Sequence, residues 1–168
     1  MSLSKLVYGV IISCVIFSAL PGWAESSPEP LYVNHGGAVM GLSPMKGGFL
    51  CIYFPLTFGR LQGTVGPFYG RGALVSFGKA KAQTFGASTD VQVHQHRGTY
   101  GQLTLSLSYE LFIIQALEND TKYVTSAVSL FHLLQPSPHI GFFFRVGYSP
   151  YLTEYELPNF GIGVQWLW

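Results

Sequence analysis

Strict alternation of apolar and polar residues is the feature that most constrains the fold of this chain. It is clearest in the segment QLTLSLSYEL, Gln102–Leu111. Successive side chains of a strand point to opposite faces, so Leu103, Leu105 and Leu107 share one face while Glu110 shares the other with the intervening polar residues. In a helix the same period of two would spread the leucines around the axis. The segment is therefore predicted to be a strand.

The same pattern recurs along the chain in segments of about ten residues that are bounded by turn residues, as in membrane barrel strands. It is clear in four segments and weaker in four others, one of which has apolar residues on both faces and leaves a short helix open. The eight predicted strands are Leu31–Leu42, Gly48–Phe58, Leu61–Phe77, Ser88–His96, Gln102–Leu111, Lys122–Leu134, His139–Tyr148 and Phe160–Trp168. Pro55 lacks a backbone donor, so a bulge or an early strand end is expected there.

The charge content indicates which surface these strands present. Charged residues make up 10% of the chain, against roughly 25% in an average soluble domain. The polar faces carry Ser, Thr, Gln and Gly with few charges, which is unusual for a surface in water. The net charge is only +1, so there is no electrostatic case for a nucleic-acid partner.

The first residues are typical of an export signal. Lys5 precedes an apolar run, Leu6–Leu20, which is followed by the small-residue site Gly22-Trp23-Ala24. We expect residues 1–24 to be a cleaved secretory signal peptide, 25–30 a disordered lead-in and 31–168 the folded domain. An uncleaved anchor helix and a lipoprotein signal ending at Cys14 are the alternatives. The apolar run is short for a helix that spans a bilayer.

The remaining chain contains no other long apolar run; the nearest is interrupted by Pro55. Only helices and closed barrels satisfy every backbone group in lipid. If the exported chain enters a membrane, it must do so as a barrel. The predicted fold is therefore all-β: an antiparallel, up-and-down transmembrane β-barrel, with eight strands. A soluble periplasmic β-barrel that binds an apolar ligand is the alternative, because alternation alone does not distinguish inside from outside.

The last strand carries a more specific resemblance. It ends on an aromatic residue, with apolar residues at alternate positions before it and a glycine five residues before the end. In these respects it resembles the assembly signal of bacterial outer-membrane proteins, carried here by Gly163, Trp166 and Trp168. Phenylalanine is the usual last residue, and a polar residue usually stands where Gly161 lies. The whole chain is similar in size and pattern to the small eight-stranded barrels such as OmpX, OmpW and the membrane domain of OmpA.

The resemblance implies location in the outer membrane of a Gram-negative bacterium. The implied partners are outer-membrane lipid and lipopolysaccharide, and the barrel-assembly machinery during insertion. It implies a monomer without a cofactor, in an envelope-structural or surface-interaction role. Slow permeation of small solutes is a further expectation, limited by the narrow lumen of eight strands.

The alternation also assigns residues to the two faces of the wall. The inward faces hold Glu110 and Arg145, which are expected to pair because a buried unpaired charge is costly. Such a pair would act as a structural plug or, alternatively, as a gate. Cys51 is expected to be a buried, inert thiol on the inner face. The residues expected to face lipid are Leu103, Leu105, Leu107, Phe142, Phe144, Phe160, Ile162 and Val164.

Two other groups of residues could carry chemistry. If the strand is regular, His94 and His96 share a face with Asp90, and the three could ligate a metal ion. They are weak candidates because the chain offers no second cluster of metal-ligating residues. Some small barrels are lipid A enzymes, and this is the rival function. The deacylase type carries a His-x-Ser pair. The chain resembles this motif at His132, but leucine stands at the serine position, Leu134. The acyltransferase type needs His, Asp and Ser, for which His94, Asp90 and Ser88 are available, but no amphipathic helix precedes them.

Overall fold

The computed structural model describes residues 36–58, 61–74, 80–98, 100–149 and 159–168. They form eight strands joined by turns and loops. The proposed signal peptide, the lead-in, the turn at Gly59-Arg60 and most of the loop before the last strand lie outside the described residues. The strands are β1 Gly37–Ser43, β2 Gly47–Phe58, β3 Leu61–Leu74, β4 Ala80–Gly98, β5 Gly101–Ala116, β6 Lys122–Gln135, β7 Ile140–Tyr148 and β8 Asn159–Leu167.

The eight strands make a closed, antiparallel, up-and-down barrel, as the alternation predicted. Each strand pairs with its neighbour in sequence, and β8 pairs with β1 to close the wall. In that closing ladder Gly37 lies opposite Leu167 and Gly41 opposite Gly163. Closure leaves no unpaired sheet edge, which is the requirement for a barrel in lipid.

Polar side chains face the lumen and apolar side chains face outward along β5. Ser106 and Ser108 are buried, whereas Leu107 is 48% exposed. The same outward exposure of large apolar residues occurs on the other strands, for example at Met40 on β1 and Ile162 on β8. The apolar face of the alternation is therefore the outer surface of the barrel and not its core.

The lumen also contains an apolar component. Five phenylalanines project into it from five different strands and are almost fully buried. They are Phe49 on β2, Phe68 on β3, Phe112 on β5, Phe131 on β6 and Phe143 on β7. A barrel of eight strands is narrow enough for side chains to fill its interior, and these rings fill much of it.

The structure differs from the prediction at the start of the fourth strand and at Pro55, and it confirms the strand where a short helix was left open. The fourth strand begins at Ala80 rather than Ser88, because backbone pairing with β3 and β5 on both sides holds its small residues in the sheet. At Pro55 the strand neither bulges nor ends, and Pro55 pairs with Thr64 in unbroken register. The sixth strand is a strand throughout and contains no helix.

Candidate functional site: a charged and aromatic plug in the lumen

Glu110 and Arg145, both predicted to face inward, are in direct contact. Glu110 extends from β5 and Arg145 from β7, and only β6 lies between these strands. Arg145 Nη1 donates a hydrogen bond to Glu110 Oε1. Their exposed fractions are 1% and 6%, so the contact is shielded from solvent. A buried charge without a partner is strongly destabilising, which is the physical reason that the two side chains meet.

A third charged residue, Lys46, completes the ion cluster. Its Nζ donates to both carboxylate oxygens of Glu110, at 2.5 and 2.6 Å. Lys46 is 1% exposed, although the sequence placed it in a loop at the barrel end. One signal could have identified it. Inward-facing Asp90 and Glu110 carry two negative charges, so Arg145 alone would leave the lumen one positive charge short.

The turn between β1 and β2 explains why Lys46 points inward. The backbone N–H of Lys46 donates to Ser43 O at 3.2 Å, which closes a tight turn. Gly47 then adopts a φ of 68°, a conformation that other residues rarely adopt. The turn also lies close against β3, where a Cβ at Gly70 would come within 2.5 Å of Lys46 O. Glycine at these two positions thus lets the turn fold over the lumen.

Aromatic rings surround the ammonium group of Lys46. Its Nζ lies 4.5 Å from the ring centre of Phe68, 4.9 Å from that of Phe49 and 5.8 Å from that of Phe112. Such cation–π contacts strengthen when water is excluded. Lys46 belongs to the turn and not to a strand. Burial lowers its pKa to about 8, and the carboxylate of Glu110 opposes this shift. The ion pair with Glu110 therefore favours the charged form of Lys46.

A second aromatic group packs beside Arg145. Its guanidinium carbon lies 5.2 Å from the centre of the Phe131 ring. Phe131 stacks on Phe143 with ring centres 5.4 Å apart, and Phe143 in turn contacts Phe49 at 6.0 Å. These rings connect Arg145 to the aromatic group around Lys46. We call Lys46, Glu110, Arg145 and the five lumen phenylalanines the plug.

Glycines on the neighbouring strand β8 and on the next strand, β1, make room for Phe143. A Cβ added to Gly163 would lie 2.5 Å from its ring, and one added to Gly41 would lie 2.6 Å from it. Gly163 was singled out as part of an assembly signal, and here it also has a packing role. Trp166 and Trp168, the other residues of that signal, are exposed on the outside of the barrel.

The residues expected to face lipid all lie on the outer face. Leu107, Phe142, Phe160 and Ile162 are exposed, and the remaining members of the set are half-buried by their neighbours on that face. Cys51 is buried on the inner face between Val39 and Phe68 in the strand register.

A β-bulge separates the three weak metal-site candidates. The register of β4 shifts between Gln92 and His94, so Asp90 faces the lumen whereas His94 and His96 pair across from outward-facing leucines of β5. The alternation of odd and even positions was a poor guide to the two faces here, because one extra residue in a bulge reverses them. Within the described ranges there is no group of three or more His, Cys, Asp or Glu side chains that could hold a metal ion.

The residues considered for lipid A chemistry also lie apart. Ser88 and Asp90 face the lumen and His94 the outer surface, with the wall between them. His132 lies opposite Leu105 and Phe144 in the strand register and is buried among their side chains, with its ring centre 6.3 Å from that of Phe144. No acyl-transfer or hydrolytic constellation forms from these residues.

Comparison of the chain with protein-family models, with curated proteins and with solved structures found no match. In the part of the chain that the structure describes, no helix has the length and apolar character needed to cross a membrane. The geometry therefore carries the functional argument. It provides an ion cluster that aromatic rings surround inside the lumen.

Proposed function

We propose that this protein is an outer-membrane β-barrel with an obstructed lumen, whose role is envelope-structural or surface-interacting rather than that of an open pore. The observation that carries the proposal is the combination of an apolar outer wall with the plug. Transport through the lumen would require the displacement of a buried ion cluster and of the rings around it.

The outer wall supports a membrane location over a soluble one. A barrel in water keeps its large apolar residues in the core, whereas here such residues also lie exposed on the outside of every strand. On β5 the outward series runs from Leu103 to Ile113. Ten residue steps of about 3.3 Å at a tilt of about 40° give a height of roughly 25 Å, which is the height of the apolar band in outer-membrane barrels.

The proposal extends to the partners that such a wall would meet. Outer-membrane lipid and lipopolysaccharide would cover the apolar band, and the barrel-assembly machinery would insert the protein. Exposed aromatic residues lie at the barrel ends, for example Tyr100 in the turn between β4 and β5, Tyr123 at the start of β6 and Trp168 directly after β8. Aromatic residues at these levels are typical of the interfaces of a bilayer.

The experiment that tests this function has two parts. In the first, the outer-membrane fraction of expressing cells is run on a gel with and without heating. We expect the protein in that fraction, with a faster band before heating that reports a folded barrel. In the second, the purified protein is added to a planar lipid bilayer, where we expect no steady open channel. A soluble periplasmic protein without a heat shift would refute the location, and a stable open conductance would refute the obstructed lumen.

A further inference from the structure

A cavity of about 120 Å³ lies in the lumen beside the plug. Glu110, Arg145 and Phe131 of the plug line its inner end. Thr57 and Gln62, which are exposed, line it near the barrel end where β2 finishes and β3 begins. That is also the end at which β8 finishes. The cavity is therefore a pocket that is entered from this end and blocked by the plug.

Five residues that line this pocket each carry a polar atom without a hydrogen-bond partner among the described residues. Each atom is buried; they are Tyr53 Oη, Ser88 Oγ, Asp90 Oδ1, Arg145 Nε and Gln165 Oε1. The side chains of Tyr53, Ser88, Arg145 and Gln165 belong to residues that are more than nine-tenths buried. Buried polar atoms are nearly always hydrogen-bonded, because an unsatisfied one destabilises the fold. Their convergence on one cavity indicates a site for a polar molecule.

The charges around the pocket indicate that this molecule is neutral. Lys46 and Arg145 are balanced by Glu110 and Asp90, and Arg145 Nη2 lies 3.8 Å from Asp90 Oδ1. The other oxygen of Asp90 already accepts a hydrogen bond from Thr64 at 3.1 Å. Because two positive and two negative charges compensate each other, neither a cation nor an anion gains net attraction in the pocket.

The unpartnered atoms also specify which neutral groups fit. Arg145 Nε is a donor, Gln165 Oε1 is an acceptor, and the hydroxyls of Tyr53 and Ser88 are both. A ligand hydroxyl likewise donates and accepts, so hydroxyl groups match this mixed set better than a carbonyl or an amine does. The rings of Phe49, Phe68 and Phe131 also line the cavity. They would contact the C–H groups of the same ligand.

The size of the pocket limits the ligand to a small molecule. Water has a share of about 30 Å³ per molecule in the liquid, so a cavity of about 120 Å³ has room for several water molecules. We infer that the lumen holds a binding site for a small neutral polyol of about three to five carbons. The polyol enters from the end at which β2 and β8 finish, and the plug prevents it from passing through.

Erythritol is a suitable probe for the test. The full chain, folded in detergent micelles with ¹⁵N-labelled glutamine, is titrated while the glutamine side-chain amide signals are followed by NMR. Gln165 and several other glutamines line the pocket. We expect saturable shifts with a dissociation constant on the order of millimolar, as befits so few ligand atoms. Tetramethylammonium and acetate, as charged probes, should produce no saturable shift.

Three variants locate the site. Gln165→Leu should weaken erythritol binding at least about tenfold. Ser88→Ala removes only a hydroxyl, so it should weaken binding about three- to tenfold, which corresponds to the loss of one hydrogen bond. Gln83→Leu is the matched control: Gln83 bonds to Gln115 away from the pocket, and we expect unchanged binding. If Gln165→Leu fails to fold, judged by the gel shift, Ser88→Ala decides. Non-saturable shifts, saturable binding of a charged probe instead, or unaltered binding in Ser88→Ala would each overturn the inference.

Discussion

Lys46 Nζ and the carboxylate of Glu110 are in contact at 2.5 and 2.6 Å, although 64 residues separate them in sequence. The contact connects the turn between β1 and β2 to the wall at β5, across the lumen. Because Arg145 donates to the same carboxylate, Glu110 is the point at which both cations of the plug are neutralised. The stability of the barrel should therefore depend on Glu110 more than on either cation.

Replacement of the shared anion is the first prediction. Glu110→Gln leaves Lys46 and Arg145 buried without a full counter-charge, so we expect the free energy of unfolding to fall by about 3–5 kcal/mol. Urea unfolding of the barrel in lipid vesicles measures the change. Glu118→Gln is the control, since Glu118 is exposed in the loop after β5, and it should alter stability by less than about 0.5 kcal/mol. Equal effects of the two substitutions would contradict a structural role for the ion cluster.

The second prediction distinguishes a plug from a gate. Arg145→Ala removes one cation, but Lys46 keeps its two hydrogen bonds to Glu110 and the phenylalanine rings still fill the lumen. We expect the conductance of planar bilayers that contain Arg145→Ala to remain at the level of the unaltered protein. A rise in conductance, with the heat-shifted band retained, would show that Arg145 acts as a gate.

The sequence predicted the architecture because alternation reports directly which side chains share a face. It worked at Leu103–Leu111 and again at Phe160–Trp168, where strong apolar residues alternate with small or polar ones. It did not find the start of β4, because Ala80–Ala87 has small residues and little apolar contrast, and pairing on both sides decides its structure.

The site was only half predicted, for two physical reasons. Glu110 and Arg145 were identified because charge on an inward face is rare and requires a partner. Lys46 was missed because a lysine beside Pro44 and Gly47 is typical of a loop in water, and only the fold of the turn shows that it points inward. Asp90 and the two histidines were grouped wrongly because the bulge after Gln92 has no distinctive residue to signal it.

Packing against Phe143 leads to the third prediction. A Cβ at Gly163 would collide with Met40 O and lie 2.5 Å from the Phe143 ring, whereas one at Gly161 would lie at ordinary distances of 3.4 Å or more. Gly163→Ala should therefore abolish the heat-shifted band, and Gly161→Ala should retain it. Both glycines lie in β8 and differ by two positions. Retention of the band in Gly163→Ala would show that the wall can move aside at this point.

The accessibility of Cys51 gives the fourth prediction. Cys51 is a free, buried cysteine that lines the lumen cavity. In a Cys14→Ser background, so that Cys51 is the one remaining cysteine, we expect a small thiol reagent such as methyl methanethiosulfonate to modify the folded barrel slowly and the unfolded chain rapidly, because a buried thiol reacts poorly. A maleimide attached to a large polymer should react only after unfolding. Mass spectrometry reads out both reactions, and complete resistance to the small reagent would mean that the cavity is closed to the outside.

The fifth prediction separates a lipid-facing wall from a wall in water. Leu107 is an exposed residue in the middle of β5. On a soluble protein Leu107→Arg would change stability by no more than about 0.5 kcal/mol, whereas arginine at the midplane of a bilayer destabilises a barrel by about 2–4 kcal/mol. We expect the larger loss, measured by urea unfolding in lipid vesicles. Gln83→Arg is the control. Gln83 lies near the start of β4, where it bonds to Tyr69 and Gln115, and arginine near a barrel end should cost about 0–1 kcal/mol. If both substitutions were nearly neutral, the apolar wall would not be in contact with lipid, and the proposed membrane location would be wrong.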